Sequence, residues 1–363
     1  MKNLIRLKES RTARPVWLAA SVVVVAAALF GAAGIVAEQG NAAPALKADK
    51  TSYPPKAAKF KQPKLQHGVL SIKGTKASDK IALRLQAGEP GTLQVDVRDD
   101  GSADFYFQRN AIAKIAINSR AGGDLVRIDE SNGPFTDTIP TKIDGGDGND
   151  NLAGGKGIET LLGGRGNDSI DGNGGNDLAL LGAGNDTFVW DPGDGSDTIE
   201  GQAGTDTMRF NGANASEQVD VSANGNRLKF FRVQGNITMD TAGVERVDFN
   251  ALGGADLVTV NDLSGTDVNL VNVDVAGTLG GATGDGQPDR VVVNATNSDD
   301  AIDVSGDADV VEVSGLAPTI KILHPEVAND RLEINTLAGA DTLNTIGLAA
   351  GAIQLFVDGI LVP

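Results

Sequence analysis

The sequence contains no cysteine. A disulfide scaffold is excluded, and so is a metal site built on thiolates. Histidine is nearly absent: His67 and His324 are the only two, which leaves little imidazole for acid–base or zinc chemistry. Aromatic residues make up 4% of the 363 positions, too few for a globular core that leans on aromatic area. No long apolar stripe of period 3.6 follows residue 40, so helices are not expected there. There is no H-E-x-x-H zinc helix and no G-x-S-x-G nucleophile elbow. Positive charge is also short, with 31 Lys and Arg against 48 Asp and Glu and a net of −17.

What basic charge there is lies near the N-terminus. Lys2, Arg6, Lys8, Arg11 and Arg14 precede the uncharged run VWLAASVVVVAAALFGAAGIVA at 16–37. With the small residues of GNAAPA at 40–45, this reads as a secretory signal over 1–45, with Ala42 and Ala45 as plausible cleavage residues. The alternative is an uncleaved signal anchor, since the run is long enough to span a bilayer. In either case the remainder is exported, to the outside or to the cell surface. Residues 1–45 hold five basic and two acidic side chains, a net of +3; the whole chain is −17, which leaves −20 for 46–363. Such a surface disfavours nucleic acid and anionic lipid and suits cations. A membrane contact is expected only if the N-terminal segment is retained.

Residues 46–67 read as a linker rich in Lys and Pro, with Pro54, Pro55 and Pro63. Residues 68–141 alternate as strands do. KIALRL (80–85), KIAINS (114–119) and LVRID (125–129) are examples, and Asp100-Gly101 is placed for a tight hairpin turn. Residues 213–363 are again strand-rich, with VERVDFNA, DLVTVNDL, VNLVNVDV and DRVVVNAT in succession. Several strands follow a Gly/Asp turn carrying Asp124, Asp256, Asp299, Asp300 or Asp341. A shared turn design favours a solenoid, and each of these aspartates is expected to cap its own turn.

Between these regions, over 142–212, the chain repeats with period nine. GGDGNDNLA (145–153), GGKGIETLL (154–162), GGRGNDSID (163–171), GNGGNDLAL (172–180) and LGAGNDTFV (181–189) run without a break. After two inserted residues come GDGSDTIE (193–200) and GQAGTDTMR (201–209). Glycine at positions 1, 2 and 4 permits crowded or left-handed backbone. Asn at position 5 is expected to tolerate the same geometry. The apolar residue at position 8 should point inward: Leu152, Leu161, Ile170, Ala179, Phe188, Ile199 and Met208. Nine residues make half a coil, so position 6 stacks in two columns. Asp150, Asp168 and Asp186 form one, Glu159, Asp177 and Asp197 the other, and the side taken by Asp206 is left open by the insertion at Asp191-Pro192.

Carboxylates stacked about 5 Å apart repel unless a cation lies between them. Calcium accepts six to eight oxygens, backbone carbonyls among them, in adaptable geometry; magnesium demands a tight octahedron. The expected ligands are the seven position-6 carboxylates with carbonyls exposed by Gly146, Gly148, Gly155, Gly157, Gly164, Gly166, Gly175, Gly184, Gly195 and Gly204. The inward apolar column is thin, so ion binding and folding should be coupled.

The pattern G-G-x-G-x-D-x-U-x resembles the repeats-in-toxin, or hemolysin-type, calcium-binding family. That resemblance implies an all-β fold, a right-handed parallel β-roll or β-helix solenoid that folds on Ca2+ outside the cell. The flanking segments look like those of secreted bacterial calcium-binding repeat proteins, whose biochemical role is undefined. A structural or adhesive role at or outside the cell surface is expected, with a cell-surface polymer or carbohydrate as a partner. Glu159 replaces Asp, Ile158 replaces a small or polar residue, and Leu181 replaces the first glycine of its unit. The longer Glu159 side chain should weaken its site. GDGQPD (284–289) resembles part of a calcium loop, in which Asp285 and Asp289 could be ligands, but a plain turn before a strand at 290–294 is the expected reading. No catalytic residues are assigned and the protein is not expected to be an enzyme. Two rivals stand beside this reading: a carbohydrate-active β-helix enzyme using Asp289, Arg290 and Lys321, and a secreted toxin or effector. His324, before Pro325, is expected at the surface.

Overall fold

The computed structural model describes residues 60–362. The signal or anchor segment 1–45 and most of the Lys/Pro-rich stretch lie outside the described residues. The end of that stretch, Lys64–Gln66, is a strand. It pairs antiparallel with Val69–Lys73 and opens a sheet of 15 strands. A second sheet has 14. The fold is a parallel β-solenoid.

Alternation between the two sheets follows from the nine-residue period. In the first sheet lie Thr141–Asp147, Glu159–Arg165, Leu178–Ala183 and Thr198–Ala203, all parallel. In the second lie Asn151–Ala153, Ser169–Asp171, Thr187–Trp190 and Thr207–Asn211, also parallel. Each coil therefore consumes two units. The position-8 residues stack in register, Leu161 on Ile143 and Ala179 in one sheet, Ile170 on Leu152 and Phe188 in the other. All seven are fully buried. The same core continues through both flanking regions, with Ile117, Val126, Val247 and Ile320 among its members.

Three antiparallel excursions depart from the parallel stacking, the first at the end of the second sheet and the other two within the sheets. They comprise Lys80–Gln86, Glu89–Asp96 and Phe105–Gln108; Gln218–Asn224, Arg227–Arg232 and Ile237–Ala242; and Ala301–Gly306, Val310–Ser314 and Thr319–Leu323. The first contains the expected hairpin but not the expected turn. Its connection spans 97–104, and Asp96 holds it from within by accepting the amides of Arg98 (3.1 Å) and Gly101 (2.9 Å). A buried acceptor beside the turn, paired also with Arg84, favours a longer loop over a two-residue one.

The glycines at positions 2 and 4 are required where coils touch. Gly164 and Gly166 have φ of 113° and 119°, and a methyl on either would collide with the carbonyl oxygen of Gly146 or Gly148 in the coil before. The asparagines at position 5 do something other than expected: none has a positive φ. Instead each side-chain oxygen accepts an amide from the next coil. Asn149 Oδ1 takes Asn167 N–H at 2.8 Å, Asn167 takes Asn185 at 2.9 Å, and Asn185 takes Thr205 at 3.0 Å. The need satisfied is a hydrogen bond between coils, not backbone tolerance.

Candidate metal centre

Position 6 stands immediately before its strand, or opens it in the case of Glu159, and turns its side chain into the solenoid. One carboxylate oxygen then accepts the amide of the same position one coil earlier. Asp150 N–H donates to Asp168 Oδ1 (2.7 Å), Asp168 to Asp186 (2.7 Å), and Asp186 to Asp206 (2.8 Å). In the second column Glu159 donates to Asp177 (2.6 Å) and Asp177 to Asp197 (2.8 Å). Asp206 thus belongs to the first column. The inserted pair lengthens one coil in both columns, so neither loses register.

The remaining oxygen of all seven carboxylates is buried and has no hydrogen-bond partner. None of these side chains exceeds 3% exposure. Among the described residues, none forms an ion pair with Lys, Arg or His. Uncompensated buried carboxylates are costly and respond by holding a proton. Burial, with the charge of neighbouring acids acting in the same direction, pushes Asp168 and Asp197 up to about 7 and Asp177 to about 9. Glu159 rises to about 7 and Asp206 to about 6, again mainly through burial.

Carbonyl oxygens run beside both columns. The Gly148, Gly166 and Gly184 oxygens each press against the position-4 glycine of the next coil. Thr136, Gly157 and Gly175 form the equivalent line on the other side. At position 1, a methyl on Gly145 would collide with Asp150 Oδ2 and would lie 2.6 Å from the Gly163 oxygen. The glycine leaves that space to oxygen atoms. Leu181 and Pro192 depart from this row, and Leu181 has a fully buried side chain.

Glu159 departs as its length implies. Its Oε2 reaches back to accept Gly155 N–H at 2.8 Å, which leaves only Oε1 unpartnered. Ile158 is 68% exposed and does not enter the site. Among the described residues no three acidic or histidine side chains converge as a metal cluster. Ions at these columns must therefore draw on one or two carboxylates and on carbonyls. That donor set is all oxygen, which suits calcium and not zinc.

Residues 142–158, 153–188 and 193–214 match the RTX calcium-binding nonapeptide repeat, in 4 copies. The block is a calcium-binding RTX repeat. Its cofactor is Ca2+, and the orphaned oxygens of the two columns lie within the matched residues. No curated protein matches the chain.

Several carboxylates outside the RTX block behave like those inside it. Asp124 and Asp256 are not the turn caps expected from sequence: each accepts an amide from another coil, Asp79 N–H (2.7 Å) and Glu217 N–H (2.7 Å) respectively. Both keep a buried, unpartnered Oδ2. Asp300 does cap its own turn, accepting Thr296 N–H at 2.9 Å. The signal that could have found the first two is the offset of five between positions 1 and 6, preserved in Ser119–Asp124 and Ala251–Asp256, with the position-4 glycines Gly122 and Gly254 kept after those of positions 1 and 2 have gone.

The residues considered for a carbohydrate site are not brought together. Arg290 lies in the first sheet and pairs with Glu333, whereas Lys321 lies in the second and pairs with Glu312. Asp289 is buried. His324 is not free at the surface either; its Nδ1 lies 2.8 Å from Asp274 Oδ1.

Proposed function

We propose that this protein is an exported calcium-binding solenoid whose RTX block completes its folding when the ions arrive, with a structural or adhesive role at or outside the cell surface. One observation carries the reading: seven buried carboxylates in two columns each present an oxygen without a partner. Ions held between successive coils by these carboxylates, and by carbonyls of the position-2 and position-4 glycines, would satisfy all of them. Export is supported by the basic and apolar N-terminal segment and by a demand for calcium that an outside location can meet. The −20 charge of residues 46–363 favours a cationic or neutral surface partner, such as a polymer or carbohydrate.

A calcium titration tests it. Residues 46–363 retain Trp190 as their only tryptophan. In the folded state Trp190 is buried and stacked on Phe210. Chelator-stripped protein should show a cooperative blue shift of Trp190 emission and a gain of β signal on adding calcium, and neither on adding magnesium. A flat response in both signals would remove the proposal.

A further inference from the structure

A third column of carboxylates runs through the C-terminal region, beyond the residues that match the RTX repeat. Glu217 N–H donates to Asp256 Oδ1 (2.7 Å), Asp256 to Asp289 Oδ1 (2.9 Å), and Asp289 to Asp330 Oδ1 (2.9 Å). The bonding is that of the RTX columns, with different spacings of 39, 33 and 41 residues because these coils are longer. All four side chains are at most 3% exposed.

Two further observations point to a ligand at the first step. Glu217 Oε2 and Asp256 Oδ2 are buried without any hydrogen-bond partner. Gly212, five residues before Glu217, repeats the position-1 arrangement: a methyl there would lie 2.7 Å from Glu217 Oε2 and 2.7 Å from the Ala251 carbonyl. Ala251 in turn stands five residues before Asp256. Charge is only partly balanced. Arg232 pairs with Glu217 through Oε1, with its Nε at 3.0 Å, and leaves Oε2 free. Asp256, Asp289 and Asp330 have no ion-pair partner among the described residues.

We propose that Glu217 and Asp256 form a calcium-binding station separate from the RTX block. The donors are two carboxylate oxygens on successive coils with the Ala251 carbonyl beside them, an all-oxygen set for a hard divalent cation. A station here ties the second antiparallel excursion, which carries Arg232, to the next coil.

The test is anomalous diffraction from crystals of the full chain grown in calcium. A peak within bonding distance of both Glu217 Oε2 and Asp256 Oδ2 is expected. Peaks along the RTX columns but none here would overturn this station and leave the proposed function intact. A peak here alone would overturn that function and keep the station; no peaks anywhere would overturn both. In solution, Asp256→Asn keeps the acceptor for Glu217 N–H and removes the charge. Equilibrium dialysis with radioactive calcium should find one ion fewer per chain than in wild type, with Trp190 still responding to the ions of the block. An unchanged count with Asp256→Asn would contradict the station. Should that variant fail to fold, the wild-type diffraction experiment decides.

Discussion

Asp168 shows how one residue serves two purposes at once. Oδ1 accepts a hydrogen bond from the coil before, and Oδ2 has no partner and is the oxygen proposed for an ion. The two can be separated by substitution. Asp168→Asn keeps an oxygen for Asp150 N–H but loses the charge, so calcium affinity should fall while the coil holds. Asp168→Ala loses both and leaves a buried amide unpaired, at a further cost of about 1–3 kcal/mol. Denaturant midpoints in saturating calcium should rank wild type above Asn and Asn above Ala; equal midpoints for the two variants would mean that the intercoil bond is worth nothing. The aspartates were legible in the sequence because their phase with the apolar residues is fixed. The purpose of the asparagines was not. Their preference for unusual backbone belongs to one residue, whereas the bond from Asn149 to Asn167 joins residues 18 apart that only the coil brings together.

At the scale of elements, the block ends in an aromatic seam. Trp190 stacks on Phe210 with centroids 3.9 Å apart and planes within 7°. Phe210 also contacts Phe230 of the second antiparallel excursion, centroid to centroid 4.5 Å. Trp190 Nε1 donates to the Gly195 carbonyl at 2.8 Å, across the loop made by the insertion at 191–192. Here apolar packing helps join the repeats to the C-terminal coils. Phe210→Ala should cost about 3–5 kcal/mol even with calcium saturating, as for other buried Phe truncations. Because folding and ion binding are coupled in the proposed function, the apparent calcium affinity of the block should fall with that stability. Unfolding and calcium titrations of the same variant check both halves of that statement. The strands on either side of the seam were legible from their alternation, and so was the solenoid. Asp100-Gly101 marked the hairpin of the first antiparallel excursion; the second and third were not legible, because alternation fixes which face is buried but not the direction in which a strand pairs.

The molecule as a whole should respond to pH in opposite senses with and without calcium. Without it, burial raises the carboxyls of the columns above their ordinary values, to about 6 for Asp124 and Asp206, about 7 for Asp168 and Asp197, and about 9 for Asp177. The unfolded chain holds these groups near about 4. A raised pKa means the fold binds the proton more tightly than the unfolded chain does. The resulting stability is complete below about pH 4 and is lost as pH climbs through about 6 to 9. Metal-free protein should therefore gain β structure on acidification and lose it near neutrality. Calcium needs the deprotonated carboxylates, so its affinity should fall as pH drops through the same window. Circular dichroism from about pH 4 to about pH 9, with chelator and with excess calcium, reads both limbs. Curves of the same sign in the two conditions would mean that the buried acids are neutralised by something other than a proton or the ion. Crossing curves would make the column a switch, in which proton and calcium compete for the same oxygens and the protein is firm where calcium is plentiful and the medium near neutral.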